Sequence, residues 1–321
     1  MSPKKLVSGA MSADIDREGQ RTTAAPLGHA LLEVAESDER LVGLSADLAK
    51  YTDLHVFRDA MPDRFYQVGM AEMALVGAAT GLAQEGFIPF ASTYSVFATR
   101  RAYDFICLDV AERSLNVNMV CALPGLTTGY GPSHQATEDI AILRGMPNMT
   151  IVDPCDAIDI VQATPQLAAY DGPTYMRVLR GRVPVVLDEY DYAFELGRAK
   201  VVRPGNEVLI VSTGLMTERA LDAAKELAGD GIDVSVLHCP TLKPFDTETV
   251  LAEIAEDRLV LTAGGLFGAV AEAMATRGVT KRIHPVALPD EFLDAGALPT
   301  LYDRYGVSTA KIVERVKGLL A

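Results

Sequence analysis

Short apolar runs alternate with longer segments of helical periodicity along almost the whole chain. In the first half, the predicted strands are Leu41–Ser45, Phe65–Val68, Ile88–Ala91, Val117–Leu123, Thr150–Asp153 and Thr174–Val178. The predicted helices around them are Leu27–Ala35, Glu72–Gln84, Ser95–Ala111, Gln135–Arg144 and Ala157–Ala169. Strands that are apolar on both faces and alternate with helices indicate a parallel sheet covered by helices.

The same alternation resumes after a less regular segment. Residues 181–205 contain Pro184, Pro204, several charges and weak periodicity, which predicts a linker. Beyond it, the predicted strands are Val208–Ser212, Asp233–Leu237, Leu259–Thr262 and Ile283–Ala287, and the predicted helices are Met216–Leu227, Asp246–Ile254, Leu266–Ala275 and Thr309–Leu320. We therefore predict a flexible tail over residues 1–22, an α/β domain over residues 23–185, a linker over residues 186–205 and a smaller α/β domain over residues 206–321.

Composition and charge narrow the class of protein. The 321 residues are 49% hydrophobic and 22% charged, which excludes a disordered chain and fits two ordinary domains. The formal net charge of −14 argues against a general nucleic-acid binder or a binder of anionic membranes. No segment approaches the roughly 18–20 uninterrupted apolar residues of a membrane-spanning helix, and the first residues lack an apolar signal-peptide core. We predict a cytoplasmic protein with neither a nucleic-acid nor a membrane partner.

The cysteines and histidines lack the spacing of a disulfide framework or a metal site. Cys107, Cys121, Cys155 and Cys239 form no CxxC pair, which favours reduced thiols, most of them buried. The five histidines show no HxH or HExxH spacing. A zinc site built by this chain is therefore not expected.

Glu72 is the first candidate for chemistry, because it follows a predicted strand at the edge where parallel α/β folds bind ligands. It opens a helix whose other residues are nearly all small or apolar. Its carboxylate either stabilises the helix N-terminus, by about 0.3–1 kcal/mol, or has a raised pKa in a dry setting. In the second case it could share a proton with a heterocyclic nitrogen.

Two aromatic residues and two arginines follow the next strand. Tyr94 and Phe97 are three positions apart, so a helical segment would turn their rings the same way. Such a pair is either part of the core or a platform on which another ring stacks. The neighbouring Arg100 and Arg101 suit a phosphate or a carboxylate.

A glycine-rich segment over residues 123–135 contains His134. Its three glycines and two prolines predict a shaped loop between a strand and a helix. His134 is therefore either structural or a ligand contact at the carboxyl end of the strand. Arg177 and Arg180 end a further strand in the same crevice, as surface side chains or as anion ligands.

Several short segments occur along the chain in a characteristic order: Ser45-Ala46-Asp47-Leu48, Gly69-Met70-Ala71-Glu72, Ala98-Thr99-Arg100-Arg101-Ala102-Tyr103-Asp104, Ser133-His134-Gln135, Met146-Pro147-Asn148-Met149 and Asp171-Gly172-Pro173. Together they resemble the C-terminal half of transketolase-type thiamine diphosphate enzymes. The resemblance extends from about residue 24 to the end of the chain. It implies a parallel-sheet pyrimidine-binding domain followed by a smaller, mostly parallel α/β C-terminal domain.

The resemblance implies a role for each candidate side chain. The glutamate that matches Glu72 hydrogen-bonds N1′ of the cofactor's aminopyrimidine, and the activated cofactor attacks a ketose or a 2-oxo acid. His134 matches a substrate-side histidine that assists proton transfer. The other implied contacts are with the cofactor for Tyr94, Phe97 and Asp47, and with the substrate, often its phosphate, for Arg100, His134 and Arg180.

A part of the family's site is missing from this chain. Family members hold the diphosphate and Mg²⁺ with a GDG motif followed downstream by an asparagine. Gly229-Asp230-Gly231 stands between a predicted helix and a predicted strand, as a helix-ending turn would, and no asparagine follows Asn206. We therefore expect an α-like N-terminal subunit to supply these ligands in an α2β2 assembly. The resemblance implies that this assembly transfers a two-carbon ketol unit from a ketose to an aldehyde.

Some positions depart from the family pattern. Ala122 stands where many relatives have a histidine, Tyr130 where many have an acidic residue, and Met73-Ala74 where Gln-Asn is usual. The family's Glu-Glu-His stretch is absent around residues 262–265. These departures predict a non-standard donor or acceptor, in a dedicated biosynthetic pathway.

Two alternatives to a split transketolase stay open. One is the β subunit of a 2-oxo acid dehydrogenase, which has similar domains and the same glutamate. The other is a non-catalytic scaffold subunit. The Arg100-Arg101-Ala102-Tyr103-Asp104 and Ser133-His134-Gln135 segments favour the transketolase interpretation over the dehydrogenase.

Overall fold

The computed structural model describes Ile15 and residues 19–321, so most of the predicted tail lies outside the described residues. The strands are β1 (Thr22–Ala24), β2 (Leu41–Ser45), β3 (Phe65–Gln67), β4 (Ile88–Ser92), β5 (Asn118–Ala122), β6 (Thr150–Val152), β7 (Thr174–Val178), β8 (Arg182–Pro184), β9 (Lys200–Arg203), β10 (Val208–Ser212), β11 (Val234–His238), β12 (Thr241–Lys243), β13 (Leu259–Ala263) and β14 (Ile283–Val286). The α-helices are α1 (Pro26–Ser37), α2 (His55–Ala60), α3 (Glu72–Gln84), α4 (Ser95–Arg101), α5 (Tyr103–Phe105), α6 (Asp139–Arg144), α7 (Ala157–Ala169), α8 (Leu215–Gly229), α9 (Thr247–Ala255), α10 (Phe267–Thr276), α11 (Leu298–Arg304) and α12 (Thr309–Leu320).

The first α/β unit is built on a seven-stranded sheet. Its strand order is β12-β6-β7-β5-β4-β2-β3, and all neighbours are parallel except β12 and β6. Strands β2, β4, β5 and β7 are buried along their whole length, as central strands with helices on both faces should be. Their carboxyl ends meet at one edge, where the candidate side chains follow.

The second unit has a five-stranded sheet in the order β14-β13-β10-β11-β9. Four strands are parallel, and β9 is an antiparallel edge strand. Helix α8 ends at Gly229, and Gly231 then takes a φ of 81°. The Gly229-Asp230-Gly231 segment is therefore a helix-ending turn, as predicted.

The two units are joined by a shared strand and a buried polar cluster. Strand β12, which follows β11 in the chain, pairs with β6 of the first sheet. Asp159 of α7 lies 2.8 Å from Nε2 of His238 in β11, and both side chains are fully buried. Asp159 also accepts hydrogen bonds from the backbone N–H of Cys155 and the hydroxyl of Tyr192. Because these polar groups are satisfied in the interior, they fix how the units pack.

The structure corrects two predicted helices. The predicted helix Gln135–Arg144 begins only at Asp139, because the backbone N–H of Gly125 bonds to the carbonyl of Ala136 at 2.9 Å and keeps that segment extended. The predicted helix Ser95–Ala111 breaks at Ala102 into α4, α5 and a π-helical turn.

The structure also corrects the ends of the irregular segments. The predicted linker over residues 186–205 includes β9, which pairs with β11 and so belongs to the second sheet. Strand β1 starts at Thr22, within the predicted tail, and pairs with β8. Arg21 forms an ion pair with Asp188 at 2.7 Å, so the chain is tied down before residue 23.

The described residues contain neither a disulfide nor a cluster of metal-ligating side chains. The four cysteines are free, and burial raises the pKa of the Cys121, Cys155 and Cys239 thiols. In this part of the chain, no cluster of three or more His, Cys, Asp or Glu side chains could hold a metal ion. None of its helices combines the length and the apolar character needed to cross a bilayer.

Candidate active site

Loops at the carboxyl edge of the seven-stranded sheet bring distant parts of the sequence together. Glu72 follows β3, Tyr94 and Phe97 follow β4, His134 lies in the loop after β5, and Arg180 follows β7. Parallel strands end at the same edge, which explains why these segments form one site.

Glu72 is the first residue of α3 and is only 5% exposed. Gly69, with a φ of 76°, turns the chain toward the helix, and no side chain caps the helix N-terminus. The carboxylate therefore lies where the helix dipole favours a negative charge. Nη1 of Arg101 donates to Oε1 of Glu72 at 3.0 Å. The result is a buried anion with a half-exposed cationic partner.

The same arginine covers the face of Phe97. Its guanidinium carbon lies 4.1 Å from the ring centroid, and the two residues are four positions apart on α4. One planar cation thus lies between the carboxylate of Glu72 and an aromatic face. A planar heterocycle with a hydrogen-bonding nitrogen fits the same two partners, since it needs a ring to stack on and a carboxylate to bond.

His134 is surrounded by aromatic rings. Its ring centroid lies 5.3 Å from that of Tyr130, 5.4 Å from Phe97 and 6.0 Å from Tyr94, each in an edge-on arrangement. The rings of Tyr94 and Phe97 are 5.5 Å apart, so their spacing correctly predicted that they face the same way. Burial, and then the charge of Arg101, lower the pKa of His134. At neutral pH the imidazole is therefore uncharged and one nitrogen can accept a proton.

Arg100 faces the glycine-rich loop instead of the rings. Its guanidinium bonds to Glu138 and donates to the carbonyl of Pro132 at 2.8 Å and that of Gln135 at 3.4 Å. These contacts fix the shape of the loop that carries His134. A direct contact of Arg100 with a substrate stays a prediction.

Arg180 lies at the same edge, and its Nε is buried without a hydrogen-bond partner among the described residues. The backbone N–H of Gly181 donates to both carboxylate oxygens of Asp53, at 2.8 and 3.1 Å. Burial raises the pKa of Asp53 to about 6, although this hydrogen bond and the charge of Arg180 oppose the shift. Asp53 thus positions the turn that carries Arg180.

Arg177 bonds to buried carboxylates outside the group of residues around Glu72 and Phe97. It is buried and donates to Asp139 at 2.9 Å and to Asp153 at 3.0 Å. The hydroxyl of Tyr175 also donates to Asp139, at 2.8 Å. Two buried carboxylates around one guanidinium form a structural cluster, so Arg177 is neither a surface arginine nor a free anion ligand.

Asp47 lies just after β2 with a φ of 59°. Its backbone N–H donates to Oε1 of Gln67 at 2.7 Å, which holds the turn in this conformation. The side chain is exposed near the edge of the site. A contact of Asp47 with a cofactor stays a prediction.

The sequence interpretation missed the positions of Arg101 and Asp53. The spacing of Phe97 and Arg101 on a predicted helix could have revealed their contact, because residues four apart share a helix face. Nothing in the sequence links Asp53 to Gly181, since 128 positions separate them. Only the fold brings these two together.

Comparison with known proteins identifies both units. Residues 19–185 match the model of the transketolase pyrimidine-binding domain, and residues 197–312 match that of the transketolase C-terminal domain. The chain is 60% identical over 321 residues to an uncharacterized transketolase family protein of Sinorhizobium fredii, covering 98% of this chain and 93% of that protein. It is 40% identical to the 6-deoxy-6-sulfo-D-fructose transketolase subunit of Clostridium sp. (strain MSTE9), covering 88% of this chain and 89% of that protein.

A solved structure and a further group of relatives extend the comparison. A split-gene transketolase, described as an inactive β4 tetramer, is 36% identical with a TM-score of 0.84 and covers 93% of this chain and 98% of its own. The chain is also 33% identical to the 1-deoxy-D-xylulose-5-phosphate synthase of Syntrophotalea carbinolica, but it spans only 49% of that protein. The chain therefore belongs to the transketolase family, of which it carries the pyrimidine-binding and C-terminal domains.

Proposed function

We propose that the chain is the β-like C-terminal subunit of a split, thiamine diphosphate-dependent transketolase, which moves a two-carbon ketol unit from a ketose to an aldehyde. The observation that carries the proposal is that the buried carboxylate of Glu72 and the ring of Phe97 both contact one planar, hydrogen-bonding group, the guanidinium of Arg101. The similarity to a transketolase subunit and to a split-gene transketolase supports it.

Each side chain of the site has a defined task under this proposal. Thiamine diphosphate, when bound, supplies the nucleophilic carbon and the electron sink. Glu72 would bond the ring nitrogen N1′ and hold a proton there, in a buried position where such a bond is strong. Phe97 would stack on the cofactor's ring, and Tyr94 and Asp47 would be further cofactor contacts. Neutral His134 takes a proton from a substrate hydroxyl and returns it.

A partner subunit has to complete the cofactor site with diphosphate and Mg²⁺ ligands. The outer face of α3 suits its docking, because Met73, Ala74, Gly77 and Gly81 are exposed and uncharged. A Cβ built on Gly77 or Gly81 meets no atom of the described residues within 4 Å, so another backbone can approach closely beside Glu72. We propose that an α-like N-terminal subunit occupies this face in an α2β2 complex.

The substrate side favours an anionic donor or acceptor. Arg180 brings a positive charge to the edge of the site, and its buried Nε has no hydrogen-bond partner in the described part of the chain. Tyr130, where many relatives have an acidic residue, places an aromatic ring beside His134. The Clostridium relative is named for a sulfonated ketose. Ketose phosphates and sulfonated ketoses are therefore the donors to test first.

Reconstitution tests the activity. The chain is co-expressed with a candidate α-like subunit, chosen for a GDG segment followed by an asparagine, and the complex is given a ketose donor, an aldose acceptor, thiamine diphosphate and Mg²⁺. We expect a ketose lengthened by two carbons, detected by mass spectrometry. Lipoamide-dependent oxidation of a 2-oxo acid without ketol transfer would instead establish the dehydrogenase alternative. No turnover of any substrate by a cofactor-loaded complex would favour a scaffold.

Subunit docking has its own test. Gly77→Arg places a long charged side chain on the outer face of α3 and should abolish co-elution with the partner in size-exclusion chromatography. Gly318→Arg is the matched control, because Gly318 is also helical and open to solvent. Equal assembly of the two variants would overturn the proposed docking face. The isolated chain should also bind thiamine diphosphate weakly, whatever the Mg²⁺ concentration.

The compartment and the absence of other macromolecular partners stay predictions. Free thiols suit a reducing compartment such as the cytoplasm. Cell fractionation checks the location, and recovery of the chain with nucleic acid or membranes would contradict it.

A further inference from the structure

Arg101 makes two contacts that a bound cofactor ring would need. Its Nη1 donates to Oε1 of Glu72 at 3.0 Å, and its guanidinium lies 4.1 Å from the centroid of Phe97. The guanidinium is flat, carries several N–H donors and stacks on aromatic faces. It therefore presents to Glu72 and Phe97 the same combination of a donor and a π-face that a protonated aminopyrimidine presents.

We propose that Arg101 is a stand-in for the aminopyrimidine: its guanidinium fills the space between Glu72 and Phe97 until the cofactor arrives, and then moves out. This inference rests on the proposed function, which places the cofactor ring between the same two residues. It adds a residue that sets cofactor affinity and that has to change conformation during loading.

Burial explains why a stand-in is needed. The side chain of Glu72 is 6% exposed, whereas that of Arg101 is 53% exposed. A buried carboxylate without a partner is costly, so Glu72 is more stable with Arg101 beside it than alone. Since half of Arg101 already reaches solvent, its guanidinium can rotate outward and regain water when N1′ takes over the bond with Glu72.

The neighbouring arginine provides a matched control. Arg100 is on the same helix and is adjacent in sequence, but it bonds to Glu138 and to loop carbonyls. It makes no hydrogen bond with Glu72 among the contacts of the described residues. Loss of Arg100 should therefore leave the space between Glu72 and Phe97 filled.

The first experiment uses the full chain alone and a double-mutant cycle. Arg101→Met removes the charge but keeps an apolar side chain over Phe97, and it should lower the thermal midpoint by about 1–3 °C. In a Glu72→Gln background, Arg101→Met should lower the thermal midpoint clearly less, because the substitution no longer leaves the charge of Glu72 without a partner. Arg100→Met should show no such dependence on Glu72. An equal cost of Arg101→Met in both backgrounds would overturn the pairing.

The second experiment measures thiamine diphosphate affinity in the reconstituted complex at saturating Mg²⁺ by isothermal titration calorimetry. Arg101→Met should bind the cofactor about three- to tenfold more tightly than the wild type, because no ion pair or cation–π contact has to be broken first. Arg100→Met should keep the wild-type affinity. Unchanged or weaker binding by Arg101→Met would overturn the stand-in.

The two failures can be told apart. If Glu72→Gln binds thiamine diphosphate as tightly as the wild type and keeps full turnover, the proposed function of Glu72 is wrong. If Glu72→Gln impairs the complex but Arg101→Met does not tighten binding, only the stand-in is wrong.

Discussion

At the residue scale, a few side chains set the charge next to the aromatic rings of the candidate site. Glu72 is buried and paired with Arg101, and His134 lies edge-on to Phe97, which the same arginine covers. Burial and the charge of Arg101 both act on His134 and lower its pKa. The imidazole is thereby kept in the form that can accept a proton.

Arg101→Met should raise the pKa of His134, because one of the two causes that lower it is removed. Histidine ring resonances followed by NMR between pH 5 and pH 8 check this. Arg40→Met is the control and should leave the titration unchanged, since Arg40 is exposed and bonds to Asp38. An identical His134 titration in the wild type and Arg101→Met would contradict the electrostatic coupling.

Asp53 gives a pH-dependent contribution to stability. Its pKa is about 6 in the folded chain against an ordinary value of 3.8, so between these values the folded state holds a proton that the unfolded state releases. This contribution is present below about pH 4 and is lost as the pH rises to about 6. The wild type should lose on the order of 1–3 kcal/mol of unfolding free energy over this pH range, and Asp53→Asn should lack that loss. Urea unfolding of both proteins from pH 4 to pH 7 checks it, and parallel curves would contradict it.

Part of the site was predictable residue by residue. Glu72, Phe97 and His134 stand out because a carboxylate at the start of an apolar helix, an aromatic pair and a histidine in a glycine-rich loop are unusual next to predicted strands. The structural burial of Arg177 was not predictable. Its partners Asp139 and Asp153 are 38 and 24 positions away and meet it only through the fold.

At the element scale, close packing of α1 sets the position of the turn that holds Asp53. A Cβ added to Gly28 in α1 would clash with the carbonyl of Asp53 and lie 2.8 Å from Cβ of Val56. A Cβ added to Gly77 in α3, in contrast, meets nothing within 4 Å in residues 19–321. The two helices therefore use glycine for different reasons, packing in one and an accessible surface in the other.

Gly28→Ala should destabilise the chain by about 1–3 kcal/mol through overpacking. Gly77→Ala, its matched control, should stabilise it by about 0.5–1 kcal/mol, because alanine favours the helix and meets nothing. The free energies of unfolding in urea check the opposite signs. Stabilisation by both substitutions would contradict the close packing at Gly28.

Most elements of the fold could be predicted, because strands buried on both faces and helices of 12 or more residues carry clear patterns. Strands β1, β8, β9 and β12 were missed, since each is only three or four residues long and pairs at the periphery. The late start of α6 could not be predicted either. It follows from a long-range tie between Gly125 and Ala136.

At the scale of the whole molecule, the two units form one body around Asp159 and His238. The first residue lies on α7 of the first unit and the second on β11 of the second unit. Their 2.8 Å contact is completely buried. Strand β12 adds a covalent and hydrogen-bonded link to the first sheet.

Asp159→Ala should cost about 3–5 kcal/mol of unfolding free energy, because it leaves buried donors without an acceptor. Asp59→Ala is the control, since that residue is exposed and pairs with Arg58 at the surface. Its effect should stay within about 0.5 kcal/mol. Similar costs for the two changes, measured by urea unfolding, would show that the cluster does not hold the units together.

At this scale, the negative net charge of the molecule also affects how anionic ligands bind. A net charge of −14 repels a diphosphate and an anionic substrate over long distances. Under the proposed function, local arginines and the metal on the partner subunit have to overcome that field. Assembly with the partner is then a condition for loading the cofactor.

Proton exchange at C2 of thiamine diphosphate in the reconstituted complex tests the role of Glu72 most directly. NMR in D₂O compares the wild type with Glu72→Gln, and equilibrium dialysis verifies that both complexes hold the cofactor. We expect Glu72→Gln to slow the exchange by about 10²–10⁴-fold, the range of a lost acid–base group. A Glu72→Gln complex that holds the cofactor and exchanges the C2 proton at the wild-type rate would contradict the proposed function of this carboxylate.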